Sequence, residues 1–98
     1  YEVSILIVGI CYLKLKIYNS QSLKEKRHTV KSIIGRLRSR FNISISEVGL
    51  NESWQISGIG LACVTNDTNH ANKVISKVIK FVDGDTRVEI LEHNIEIF

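Results

Sequence analysis

The chain has 98 residues, which fits one domain and leaves no room for a second core. Hydrophobic residues at 44% and charged residues at 23% set it apart from disordered and membrane-spanning chains, and its longest early apolar run, Ile5 to Val8, is too short for a bilayer span. The net charge of +3 conceals an asymmetry: Ser20 to Phe41 holds seven basic residues against Glu25 alone, so an anionic partner is expected on one side of the domain.

Ile5 to Tyr18 alternates, with Ile5, Ile7, Gly9, Cys11, Leu13, Leu15 and Ile17 on one face and Val8, Ile10, Tyr12, Lys14 and Lys16 on the other. This predicts a long strand. Ser22 with Glu25 three residues on matches a capping box, and Leu23, Val30, Ile33, Ile34, Leu37 and Phe41 then recur at helical spacing. Asn42 to Val48 reads as a short strand with one wet face, expected at an edge.

Trp54 to Thr65 is strand-like and rich in small residues. Its even positions, among them Gly58, Gly60 and Ala62, are expected under the helices with Gly9 and Cys11, and Ile59, Leu61 and Cys63 on the opposite face. Asn66 and Asp67 offer a cap to a second helix carrying Ala71, Val74, Ile75, Val78, Ile79 and Val82, which Gly84 ends. Val88 to Phe98 predicts a last strand, with a bulge near Ile90 and Leu91 where the alternation changes phase.

The order strand, helix, strand, strand, helix, strand points to an α+β ferredoxin-like βαββαβ sandwich, with a four-stranded antiparallel sheet and two helices on one face. The uncovered sheet face is expected to carry Val8, Ile10, Tyr12, Ile59 and Leu61. That surface is too apolar to leave in water, which makes a homodimer the expected state.

On the first helix, Lys24, Arg27, Lys31 and Arg38 fall within a sector of about 60°, while Lys26, Arg36 and Arg40 flank the other side. With Ser22 and the N–H groups of the helix start, Lys24, Lys26, Arg27, Lys31 and Arg38 form the candidate anion or RNA surface. The bland alternative is a solvated helix whose long stems cover core edges.

Trp54 could cap the core, join an interface or stack on a base. His28, His70 and His93 have no ligand spacing with one another or with the cysteines, so no metal is expected. Gly58-Ile59-Gly60 lacks the G-K-[ST] of a phosphate loop, and no cofactor is expected. Cys11 and Cys63 read as buried core residues, and Ser22 as a cap without a catalytic base. The connection Tyr18 to Gln21 has neither Gly nor Arg, against acylphosphatase chemistry. No catalytic constellation is visible, and the chain reads as a non-enzymatic module.

Val8-Gly-Ile-Cys11, Ser22-Leu-Lys-Glu-Lys-Arg27, Phe41 to Val48, Trp54-Gln55 and Ala62 to Asp67 together resemble the bacterial YlxP-like family, over about residues 7 to 98. The resemblance implies a ferredoxin-like domain of unknown function and a role linked to RNA or a ribosomal particle, because the family's genes commonly lie among those for translation and ribosome maturation factors; the cytosolic setting is expected separately, from an apolar run too short for a span or a signal segment. The resemblance also implies that residues 1–6 are an N-terminal extension of the single domain. Similar proteins often carry Arg after Trp-Gln, where this chain has Ile56. A dimeric small-anion sensor or scaffold without nucleic-acid binding is the alternative.

Overall fold

The computed structural model describes residues 5–98; the expected extension at 1–6 therefore lies mostly outside the described residues. Six elements follow in the expected order: β1 (Ile7–Ile17), α1 (Leu23–Arg40), β2 (Ser44–Gly49), β3 (Ile56–Thr65), α2 (Thr68–Asp83) and β4 (Val88–Ile97). The strands form one antiparallel sheet in the order β2-β3-β1-β4, which places β2 at an edge. This is the α+β ferredoxin-like sandwich. Among the described residues no helix is long and apolar enough to cross a membrane.

Helix α1 packs over β2, and α2 over β1, β3 and β4. Leu13, Leu15, Ile33, Leu37, Ile59, Ile75, Val78 and Val82 are wholly excluded from water between the layers. Helix α2 comes close to β1 because residue 9 has no side chain: a Cβ there would stand 3.1 Å from Ile75 Cδ1 and 3.2 Å from Ala71 Cβ. Asp67 caps α2 by accepting from the Asn69 N–H at 2.9 Å, and Gly84 ends it in ordinary right-handed geometry (φ −78°) rather than the left-handed turn its glycine would permit. The β4 bulge falls where the alternation breaks. Leu15 pairs with Ile90 and Lys14 with Glu92, so Leu91 has no partner on β1.

The register corrects one expectation about the sheet. Leu13 lies opposite Ile59 and Cys11 opposite Leu61, and residues directly opposite in an antiparallel pair share a face. Ile59 and Leu61 are therefore in the core, 0% and 5% exposed, and do not belong to the open surface. Gly58, Gly60 and Ala62 take the open side. There a Cβ on Gly58 would lie 2.6 Å from Tyr12 Oη, and one on Gly60 would lie 3.2 Å from both Val48 methyls. The two glycines make room for side chains of the neighbouring strands rather than for a helix.

Candidate nucleic-acid interface

The first turn of α1 is closed by its own residues. Ser22 Oγ accepts the Glu25 N–H at 3.1 Å, and Glu25 Oε2 accepts the Gln21 N–H at 2.5 Å. This reciprocal arrangement fixes where the helix begins and satisfies one of its free donors. Ser22 is thus a cap, and an anion at this end would compete with the Glu25 carboxylate.

Lys26 departs from the expected surface. It lies four, seven and eleven residues before Val30, Ile33 and Leu37, all on the buried stripe of α1, and its side chain is 0% exposed. Its ammonium donates to Glu47 Oε2 at 2.9 Å, to Leu50 O at 2.9 Å, and more loosely to Asn51 O at 3.3 Å and Ile56 O at 3.4 Å. Glu47 Oε2 also accepts from the buried Ser57 hydroxyl at 2.6 Å. A charged amine out of water needs this density of acceptors, and its three N–H groups are all engaged. Lys26 is therefore an internal clamp on the β2–β3 loop and is unavailable to phosphate. Among the described residues no buried side-chain nitrogen or oxygen lacks a partner.

The same loop is tied to the β1–α1 connection. Gln55 O accepts the Ile17 N–H at 2.7 Å, and Gln55 Nε2 donates to Ser20 O at 3.4 Å. Ser53 Oγ accepts the N–H groups of Gln55 at 3.4 Å and Ile56 at 3.1 Å. Leu50, at φ 61°, is a non-glycine residue in the left-handed region, and its carbonyl is one of those held by Lys26. No role for Glu47, Ser57 or Gln55 was legible in the sequence, although Trp54-Gln55 is among the motifs of the resemblance. The Lys26 spacing could have found the node; its partner Glu47 stands 21 residues away.

Lys24, Arg27, Lys31 and Arg38 remain on the exposed side of α1 nearer β2. Arg38 Nη2 donates to Ile45 O at 2.9 Å, so its stem lies across the edge strand. A shallow groove of about 410 Å³ between α1 and β2 is lined by Arg27, Val30, Lys31, Ile34 and Glu47. Arg36 and Arg40 face the other way, toward α2, where the Arg40 guanidinium sits 4.8 Å from the centre of the Phe81 ring. Lys80 and Arg87 continue this second basic edge.

The two helices together carry nine exposed cations (Lys24, Arg27, Lys31, Arg36, Arg38, Arg40, Lys73, Lys77 and Lys80) against the exposed carboxylates of Glu25 and Asp83. The contribution of α2 was missed by reading α1 alone. On the open sheet face the balance differs: Glu92 and Glu96 stand on β4 opposite Lys14 and Ile10.

Val8, Ile10 and Tyr12 lie on that open face as expected, with Ile10 37% exposed. In place of Ile59 and Leu61, Val48 and Val64 complete the surface at 60% and 66% exposed. Trp54, 57% exposed in the β2–β3 loop, does not cap the core.

Four groups have displaced titrations among the described residues, one of them Arg87, which its hydrogen bond to Asp85 raises. Hydrogen bonds from Arg87 hold the Asp85 carboxyl below its ordinary 3.8, with a 2.7 Å ion pair between Arg87 Nη2 and Asp85 Oδ2. Tyr18 donates to Glu89 Oε1, which raises the phenol above 10.0. Burial pushes the Cys11 thiol up to about 11, consistent with an unreactive core cysteine.

These features define a ferredoxin-like sandwich with a cationic helical layer, a buried lysine clamp and a partly apolar open sheet face. The chain belongs to the DUF503 family, described as proteins of unknown function, whose model matches residues 8–95. It is 35% identical over 83 residues to the uncharacterized protein YlxP of Bacillus subtilis (strain 168), a match covering 85% of this chain and 90% of that protein. The de novo designed protein Foldit4 has a similar fold, with a TM-score of 0.54 at 9% identity and coverage of 95% of this chain and 96% of that one.

Proposed function

We propose that the chain is a non-enzymatic binding module that contacts RNA, or a ribosomal assembly particle, through the outer surface of its helices. The observation that carries this is the segregation of charge: nine exposed cations on α1 and α2 against two exposed carboxylates, with Lys26, the only deeply buried cation among the described residues, already matched by Glu47. A convex surface of this sign gives backbone affinity and orientation with little sequence readout. A small anion at the start of α1 is less well supported, because Glu25 already engages that end of the chain.

The test is binding to labelled ribosomal RNA across a salt series, with Lys24→Ala/Arg27→Ala/Lys31→Ala beside the parent chain. The parent should bind at low salt and weaken steeply as salt rises. The triple variant should bind less tightly with a salt slope shallower by about 2 logarithmic units, at about 0.7 per lost phosphate contact. No binding by the parent at low salt rejects the reading.

The open sheet face supports a second element of the proposal, self-association through Val8, Ile10, Tyr12, Val48 and Val64. Sedimentation of the chain at micromolar concentration should show a dimer, and Ile10→Lys should return it to a monomer. A monomeric parent chain rejects this element.

A further inference from the structure

The chain has one tryptophan, and it stands more than half exposed at the tip of a loop that is otherwise tightly held. Five residues around Trp54 are bonded to another part of the fold or to the loop itself: Leu50, Asn51, Ser53, Gln55 and Ile56. Lys26 grips Leu50 O and Asn51 O before it and Ile56 O after it; Ser53 Oγ accepts from two N–H groups after it; Gln55 is fixed to Ile17 and Ser20. A large aromatic ring left in water on a stiff platform is ready to bind with little further loss of chain entropy. The platform's main anchor, Lys26, lies between Lys24 and Arg27 in the opening turns of α1, and both of these side chains are exposed. The loop that bears the exposed aromatic ring is thus anchored to the same turns of α1 that bear two exposed cations.

We infer that Trp54 stacks on a base of single-stranded RNA whose phosphates run along Lys24, Arg27 and Lys31. The inference rests on the RNA reading above and narrows it to a substrate class: strands with splayed bases, since paired bases in an A-form duplex present no free ring face. Any base would serve, so discrimination should be by strandedness and not by sequence.

Because Trp54 is unique, its fluorescence reports the contact directly. The parent chain is titrated with oligouridylate, with an RNA duplex of equal charge and with inorganic polyphosphate, beside Trp54→Ala and Trp54→Phe, each checked for a cooperative melt. Oligouridylate should quench the indole, and polyphosphate should bind without quenching it. Trp54→Ala should weaken oligouridylate binding about 5- to 150-fold, the range for loss of one base stack, while leaving polyphosphate and duplex binding unchanged; Trp54→Phe should retain most of the affinity. If RNA binds but neither quenches Trp54 nor senses its removal, the stacking inference is overturned and the RNA reading stands. If the parent binds no RNA at low salt, both fall together.

Discussion

Lys26 and Arg27 are neighbours in the chain and opposites in the fold. One side chain is wholly excluded from water and engages a carboxylate and three carbonyls; the other projects into solvent beside Lys24 and Lys31. A rotation of 100° per residue carries a cation from the core stripe to the wet side in one step. Residue type alone therefore says little about a basic helix: Lys26 is a structural clamp, and the Arg27 sector is the surface offered to a partner.

The sharpest way to break this contrast is to remove the ammonium. Lys26→Ala leaves Glu47 mostly buried with only the Ser57 hydroxyl and strips the β2–β3 loop carbonyls of their donor. Breaking a buried pair from one side costs about 3–5 kcal/mol, so urea unfolding should show a loss in that range. Lys26→Met with Glu47→Gln should recover part of it, because no unmatched charge then stays inside. If Lys26→Ala costs no more than Arg27→Ala, the clamp has no energetic role.

How far the sequence could be read follows from the same contrast. Strand and helix order, the Ser22 and Asp67 caps, the edge position of β2 and the bulge at Leu91 all rest on local patterns, and those were legible. The facing of β3 was not, because that segment has apolar residues on both parities, Ile59, Leu61 and Cys63 on one and Ile56, Ala62 and Val64 on the other. Only its neighbours decide the matter, through the rings and methyls that occupy the glycine positions. Lys26 was visible at core spacing, but its charge argued for water and its partner lay in another element. Trp54 reads from the sequence as the first residue of a strand that in the fold begins only at Ile56; its place on the loop and its exposure depend on bonds spread from Ile17 to Ile56.

Gly58→Ala tests the corrected facing. The added methyl would meet the Tyr12 ring and, at 3.2 Å, the Gly49 carbonyl oxygen, which belongs to backbone and has little freedom to move. Overpacking of this kind costs about 1–3 kcal/mol, and the loss should be partly relieved by Tyr12→Ala. A neutral Gly58→Ala, with no coupling to Tyr12, would return Gly58 to a roomier environment than the fold allows.

The Arg87–Asp85 pair is intermediate between the clamp and the free surface, with side chains 37% and 10% exposed. Arg87 also donates to Ser32 Oγ at 3.3 Å, linking the α2–β4 connection to α1. Asp85 has its pKa lowered in the folded chain, so its contribution is fully present above the ordinary carboxylate value and is lost as pH falls through the lowered one. At neutral pH, Asp85→Asn should cost no more than about 1 kcal/mol, given the exposure of Arg87. Below about pH 4 the variant and parent stabilities should converge, since protonation removes in the parent what substitution removes in the variant. A stability gap independent of pH would separate the residue's role from its charge.

The smallest stability effect should be the one with the opposite sign. Lys24, Arg27 and Lys31 form no ion pair among the described residues, and they share a helical layer whose other exposed charges are mostly positive. Their mutual repulsion is weak at the surface and is screened over a Debye length of about 8 Å at physiological ionic strength. The triple alanine variant should therefore stay within about 0.5 kcal/mol of the parent at that salt, and should become the more stable of the two as salt is lowered. Raising the salt should close the gap. A loss of more than about 1 kcal/mol that survives high salt would mean that the stems of these residues cover the core edge as Lys26 does, and the division of α1 into a clamp and a free cationic face would fail.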